Sequence, residues 1–342
     1  MSDDQHSELP GLDLDRLARW LADTRPGLID GPLTGRLIAG GKSNLTYEIS
    51  DGSGTWIVRR PPLGHVLATA HDMAREHRVI SALADTDVPV PATFALCEDA
   101  EIIGAPFYVM ERVLGTPYRT AGELRALGPD RTRVIVTGLI DTLAALHTVD
   151  PVAVGLQDFG RPDGFLERQV RRWKKQLDAS YSRELPAAIE LHELLAKNLP
   201  AHSAIGIVHG DYRLDNVLVD DADRVAAVID WEMATLGDPL TDIGLMLVYQ
   251  RMSDAGLGVS DVALAPGYPV EAEVLQRYSS RAGRDLSDIG FYIALASFKL
   301  AVISEGIYFR FIHGQTVGAG FEHMGDGVEP LLRAGISALT PG

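Results

Sequence analysis

Apolar positions recur along this chain at two spacings, and the change from one to the other divides it. Residues 12–23 put Leu14, Leu17, Ala18 and Leu21 on one helical face, ahead of a Pro26-Gly27 stop. Alternating segments at 33–38, 45–49 and 55–59 then read as strands, separated by Gly40-Gly41 and by Asp51-Gly52-Ser53-Gly54. A helix over 71–84 gathers Met73, Glu76, Ile80 and Leu83 near one face, and two more strands are predicted at 92–97 and 106–111. From Asp130 onward the helical period takes over. Val136, Leu139, Ile140, Leu143 and Leu146 form a stripe that ends at His147, and helices follow at 164–179, 186–199, 239–252, 271–282 and 288–304. A glycine-rich tail at 314–327 breaks the pattern, and no internal repeat is visible. The expectation is an α+β, two-lobed clamp: a β-rich lobe with its N-terminal helix at 1–111, a hinge at 112–120, and a helical lobe at 121–342.

Between the helical stretches lies one run of a different kind, IGIVHGDYRLDNVLVDDADRVAAVIDWEM at 205–233. Ile205, Ile207 and Val208 lead into His209-Gly210-Asp211, and Asn216 follows Asp211 by five residues. Two short apolar segments, 217–219 and 225–229, flank the polar turn Asp220-Asp221-Ala222-Asp223, and the second delivers Asp230. The pattern predicts a strand, a loop bearing Asp211 and Asn216, and a hairpin that returns with Asp230. Kinase-type phosphoryl transfer needs these groups. Asp211 would accept the hydroxyl proton, and Asn216 and Asp230 would hold Mg²⁺ on the phosphates of ATP.

Composition narrows the alternatives. A chain of 342 residues with a net charge of −16 is large enough for a sizeable core and poorly suited to nucleic acid or to an anionic membrane surface. That charge leaves a cationic acceptor open. The single cysteine, Cys97, excludes an internal disulfide and reads as a small buried side chain. The polar, acidic N-terminus does not read as a signal peptide, and the apolar stretch 291–303 is short and broken by Lys299, so it reads as a core helix. The expected compartment is the reducing cytoplasm.

Three segments carry a resemblance: GGKSNLTYEI at 40–49, HGDYRLDNVLVD at 209–220 and IDWEMATLGDPLTDIG at 229–244. On these the chain resembles, from about residue 30 onward, the aminoglycoside phosphotransferase-like (choline-kinase-like) family, which shares the protein-kinase fold. It is most similar to the kinase-like domain associated with acyl-CoA dehydrogenases. The resemblance implies a small-molecule hydroxyl as acceptor, a hydroxylated acyl-CoA or related acid first and an aminoglycoside or amino alcohol second. It also implies a functional link to an acyl-CoA dehydrogenase. Gly41, Ser43 and Asn44 would face phosphate, although the segment is neither a Walker A motif nor a three-glycine kinase loop. Arg59 stands where a protein kinase has lysine, and Glu76 would pair with it. Arg60, one residue on, would point to the opposite face of its strand. Glu111 and Val113 would offer backbone groups to the adenine edge. His209 is expected to orient the loop backbone, and Asp242 to brace it from the next helix.

Two further features bear on function. The cluster ERQVRRWKK at 167–175 spreads Arg168, Arg171, Arg172, Lys174 and Lys175 round a helix, which reads as a solvated face or as a dock for an anionic acceptor. Arginine at position 59 leaves room for a nucleotide-binding module without turnover. A protein kinase is disfavoured, because no Ala-Pro-Glu segment is present and Trp231-Glu232 follows Asp230 in place of Phe-Gly.

Overall fold

The computed structural model describes residues 9–38, 44–64, 71–256, 260–316 and 320–340. The chain forms two compact units, Met1–Gly115 with Ala226–Glu232, and Thr116–Val225 with Met233–Gly342. The first break falls between Gly115 and Thr116. The second departs from the expected division, which gave everything after residue 120 to one lobe. Its cause is local: the Val228 N–H donates to Pro89 O at 2.8 Å, and Asp230 is bound by Arg59.

The first unit opens with α1 (Leu14–Thr24), capped by Asp13, which accepts from the Arg16 N–H. Strands β1 (Thr34–Leu37), β2 (Leu45–Ser50) and β3 (Thr55–Arg60) precede α2 (Met73–Leu83), and β4 (Thr93–Cys97) and β5 (Phe107–Glu111) follow it. They pair antiparallel in the order β1-β2-β3-β5-β4. Asp51 builds the turn between β2 and β3 by accepting from the Ser53 and Gly54 N–H groups, both at 2.8 Å. Leu17 and Leu21 of α1 pack with Tyr47, Ile49, Val58, Cys97, Phe107 and Val109 into one core. Burial pushes the Cys97 thiol up, as befits a core residue. Period-two alternation along β3 puts Val58 and Arg60 on one face and Ile57 and Arg59 on the other. Arg60 is accordingly buried, donating to Ile103 O at 3.0 Å and to Gly11 O.

The second unit is mainly helical. Its elements begin with α3 (Ala121–Leu127), α4 (Pro129–Thr148), α5 (Phe165–Ala179) and α6 (Pro186–Lys197). Short strands β6 (Gly206–Val208) and β7 (Val217–Val219) come next, and the chain leaves the unit within β8 (Val225–Val228). It returns with β9 (Thr235–Gly237), α7 (Leu240–Asp254), α8 (Glu271–Ala282), α9 (Ile289–Ile312) and α10 (Val328–Leu339). β6 and β9 pair antiparallel, with Ile207 opposite Leu236. The centre of the unit is α9, packed by α5, α6, α7 and α10. It crosses α7 closely at Gly244, where a Cβ would stand 2.7 Å from the Tyr292 backbone. By length and composition α9 could cross a bilayer, but 78% of its most apolar window is buried inside the protein. It outruns its predicted end at 304; Glu305, the next residue, is buried and paired with Arg183 at 3.0 Å. Two helices were not predicted. The first, α3, is seven residues long and stands on a Thr120–Glu123 capping box, and α10 follows the glycine-rich stretch.

Candidate active site

In the first unit the chemistry gathers around Arg59. Its Nε lies 3.0 Å from a Glu76 oxygen, and its Nη2 donates to Asp230 Oδ1 at 2.5 Å. Burial works against the guanidinium charge, but Glu76, the Tyr108 hydroxyl and Asp230 outweigh it, so Arg59 is held well above its ordinary value. Burial pushes Glu76 up to about 7, with Arg59 opposing. Asp230 has φ +66°, a left-handed conformation that costs a non-glycine residue about 1 kcal/mol or more and clusters at functional sites. Trp231 is buried immediately after it, its indole N–H donating to Val228 O at 3.0 Å.

Gly41 and Ser43, expected to face phosphate, lie outside the described residues. Asn44 is buried, and its side chain is engaged elsewhere. The carboxamide donates to Glu232 Oε2 at 3.2 Å, and its oxygen is 2.8 Å from His71 Nδ1. Only its backbone is left for a phosphate. At the end of β5 the Glu111 N–H donates to Ala92 O, so what it can offer an adenine edge is its carbonyl. Val113 lies just beyond the strand.

In the second unit the loop after β6 carries Asp211. Its carboxylate accepts from Asn216 Nδ2 at 3.0 Å and from the Tyr249 hydroxyl at 3.2 Å. The same Asn216 nitrogen donates to Asp211 O at 2.8 Å, which leaves the carboxamide oxygen available to a cation. Tyr249, on α7, lies under the Arg213 guanidinium at 4.9 Å, and Arg213 also pairs with Asp215. Burial, then Asp211, raises the Tyr249 hydroxyl, so it stays a donor.

The loop is braced from behind. Buried Asp242 accepts from the His209 N–H at 2.7 Å and the Gly210 N–H at 2.8 Å, and His209 Nδ1 accepts from the Asp211 N–H at 3.3 Å. Gly210 has φ +87°, and a Cβ there would stand 2.7 Å from Met233 O. Glycine is required at this position on both counts. His147 closes the network, its Nε2 donating to Asp242 at 3.3 Å and its Nδ1 accepting from the Tyr278 hydroxyl at 2.8 Å. Burial lowers the His147 pKa, so the ring is neutral. The unfolded chain binds a proton below about 6.5, whereas folded His147 resists it, so acid favours unfolding. The urea midpoint is therefore expected to fall between about pH 7 and pH 5, more steeply in the wild type than in His147→Gln. Equal slopes would mean that this histidine is not the titrating group.

Carboxylates, a carboxamide and an arginine are residue types that phosphoryl transfer uses. Residues 34–275 match the model of the phosphotransferase enzyme family.

The chain belongs to the phosphotransferase enzyme family.

Acyl-CoA dehydrogenase family member 11 of Gallus gallus is 35% identical over 332 residues, which cover 94% of this chain and 42% of that protein. The chain thus spans about two fifths of the length of such relatives. A crystal structure from Ralstonia eutropha, described as a candidate aminoglycoside phosphotransferase, is 35% identical with a TM-score of 0.84, covering 96% of this chain and 98% of that one. Aminoglycoside phosphotransferase APH(4)-Ia, solved with AMP-PNP and hygromycin B, shares the fold at 14% identity and a TM-score of 0.63, covering 95% of this chain and 99% of its own. The fold of this chain is thus α+β and protein-kinase-like, with a β-sheet N-terminal lobe and a helical C-terminal lobe.

Sequence reasoning missed Tyr249 and Lys299. A tyrosine inside an apolar helix carries no signal of its own. A lysine inside the apolar run of α9 does, and Lys299 proves to donate to Gly210 O at 2.8 Å.

Proposed function

We propose that this phosphotransferase moves the γ-phosphoryl group of ATP, with Mg²⁺, onto the hydroxyl of a small molecule. The observation that carries the reading is the Asp211 carboxylate, aimed by Asn216 and Tyr249 and seated on a braced turn. A carboxylate so held can take the acceptor's proton as the oxygen attacks phosphorus. Arg59, fixed by Glu76, would bind phosphate oxygens. The residues present fit Mg²⁺. Asp230 would supply a carboxylate and Asn216 its carboxamide oxygen, hard oxygen donors of the kind Mg²⁺ takes. Bound there, the ion would neutralise charge on the nucleotide phosphates.

For the acceptor, a hydroxylated acyl-CoA or related acid is our first choice. It is supported by the names of relatives that this chain matches over about two fifths of their length, acyl-CoA dehydrogenase family member 11 among them, and a functional link to such a dehydrogenase belongs to the same proposal. The aminoglycoside alternative draws on the Ralstonia eutropha protein's description. Screening ADP release against hydroxyacyl-CoAs and aminoglycosides side by side separates them.

Helix α5 offers a second discriminant. Arg171 pairs with Glu167 at 3.7 Å, Lys174 with Asp178 at 2.5 Å, and Arg168 donates to Asp163 O and Arg161 O. Arg172 and Lys175 make no ion pair among the described residues, so they, rather than Arg171, are the pair to remove. With an acyl-CoA acceptor, Arg172→Ala with Lys175→Ala should raise the acceptor KM by about threefold to tenfold at low salt, less at high salt, leaving ATP unaffected. An aminoglycoside, being cationic, would be bound as well or slightly better. Unchanged acyl-CoA kinetics at low salt would return this helix to the role of a solvated face.

A further inference from the structure

Arginine supplies most of the positive charge here; Lys42, Lys174, Lys175, Lys197 and Lys299 are the only lysines. Lys299 alone among them projects from the central helix α9, out of an otherwise apolar run. Its Nζ donates to Gly210 O at 2.8 Å and lies 5.8 Å from the centre of the Trp173 ring. The peptide group it holds is the one that enters Asp211. Asp242 of α7 takes the N–H groups of residues 209 and 210, while Lys299 of α9 takes the carbonyl of residue 210. Gly210 has no side chain and sits at positive φ, so external hydrogen bonds must remove the rotational freedom that its own backbone does not.

We propose that Lys299 is a positioning residue for Asp211, fixing the Gly210–Asp211 peptide through its carbonyl and setting a positive charge against the base. The inference rests on Asp211 serving as that base. A lysine at this place has consequences that a neutral donor would not. A charged ammonium strengthens the bond to the carbonyl roughly twofold over a neutral donor, and it is lost on deprotonation. The charged groups facing Lys299 are Asp211, Asp242 on α7 and Arg172 on α5, and α6 brings His192 against Phe298. Burial lowers the lysine's pKa, Arg172 adds to the effect, and the two carboxylates oppose it. Its charge therefore disappears at a lower pH than that of an exposed lysine, and turnover should decline on the alkaline side as it does.

Two readouts test this. The first is NMR of protein labelled at lysine Cε, where five resonances are few enough to resolve and Lys299→Met removes the relevant one. The Lys299 signal should titrate below the rest, and Asp211→Asn should move its midpoint lower still, because a facing negative charge is gone. The second is MgATP hydrolysis, with water taking the acceptor's place. Lys299→Met should lower kcat by about tenfold or more with the KM for MgATP within about twofold, and should abolish the alkaline decline. Lys299→Arg should recover part of the lost turnover and move the decline to higher pH. A Lys299 titration indifferent to Asp211→Asn, or a methionine variant that turns over like the wild type, overturns the proposal. If the methionine variant does not fold, the arginine variant and the Asp211→Asn titration decide the matter. A wild type that hydrolyses no ATP would overturn the base reading instead, and the NMR coupling would still decide whether Lys299 is set against Asp211.

Discussion

Asp211→Asn is expected to lower kcat for phosphoryl transfer by about 10²–10⁴-fold while MgATP affinity stays within about threefold. The substitution keeps the size of the side chain and much of its hydrogen bonding to Asn216 and Tyr249. What it removes is the capacity to take a proton. Arg59, Glu76 and Asp230, which we assign to phosphate and metal, are untouched. Steady-state turnover beside an equilibrium nucleotide titration checks both halves. Near wild-type turnover would remove Asp211 from the role of base.

Asp230→Ala should weaken apparent MgATP affinity by about tenfold or more, and more than Asn216→Ala does. A carboxylate meets the divalent ion with a full charge, whereas the asparagine offers one carbonyl dipole. The structure adds a second cost. Asp230 is also a partner of the half-buried Arg59, so its loss leaves that guanidinium with Glu76 as its one carboxylate partner among the described residues. Its backbone at φ +66° points the same way, because strain of that kind persists only where surrounding structure imposes it. Nucleotide titrations at several Mg²⁺ concentrations separate the two effects. A metal-ligand defect shrinks as Mg²⁺ rises, while loss of Arg59 positioning does not. Normal MgATP binding by the alanine variant would take the metal away from Asp230.

The candidate site was legible where the residues proposed for it are contiguous. Asp211, Asn216 and Asp230 sit in one run, and the strand bearing Arg59 shows its alternation openly, so the helix that brings Glu76 to Arg59 could be anticipated. Asp242 was read as a brace, and it is buried beneath the loop. Illegible were groups contributed from far along the chain by elements whose own patterns look purely structural. Tyr249 and Lys299 reach the Asp211 loop from α7 and α9; the lysine stands out in its apolar run, but only tertiary packing reveals what either side chain touches. The same limit explains the division of the chain. Residues 226–232 continue a hairpin in sequence, yet the hydrogen bond from Val228 to Pro89 and the Arg59–Asp230 pair assign them to the first unit. Asn44 shows the converse failure. A polar residue beside glycines suggested a free phosphate donor, and its side chain is instead fixed by Glu232 and His71.

The most direct test of the central claim is ³¹P NMR of MgATP incubated with this protein and a panel of hydroxyacyl-CoAs and aminoglycosides. Our account predicts ADP together with a new phosphomonoester resonance in one acceptor class, both absent with Asp211→Asn. Tight MgATP binding with no phosphomonoester formed on any hydroxyl would contradict it, and would make the chain a nucleotide-binding module instead of an enzyme.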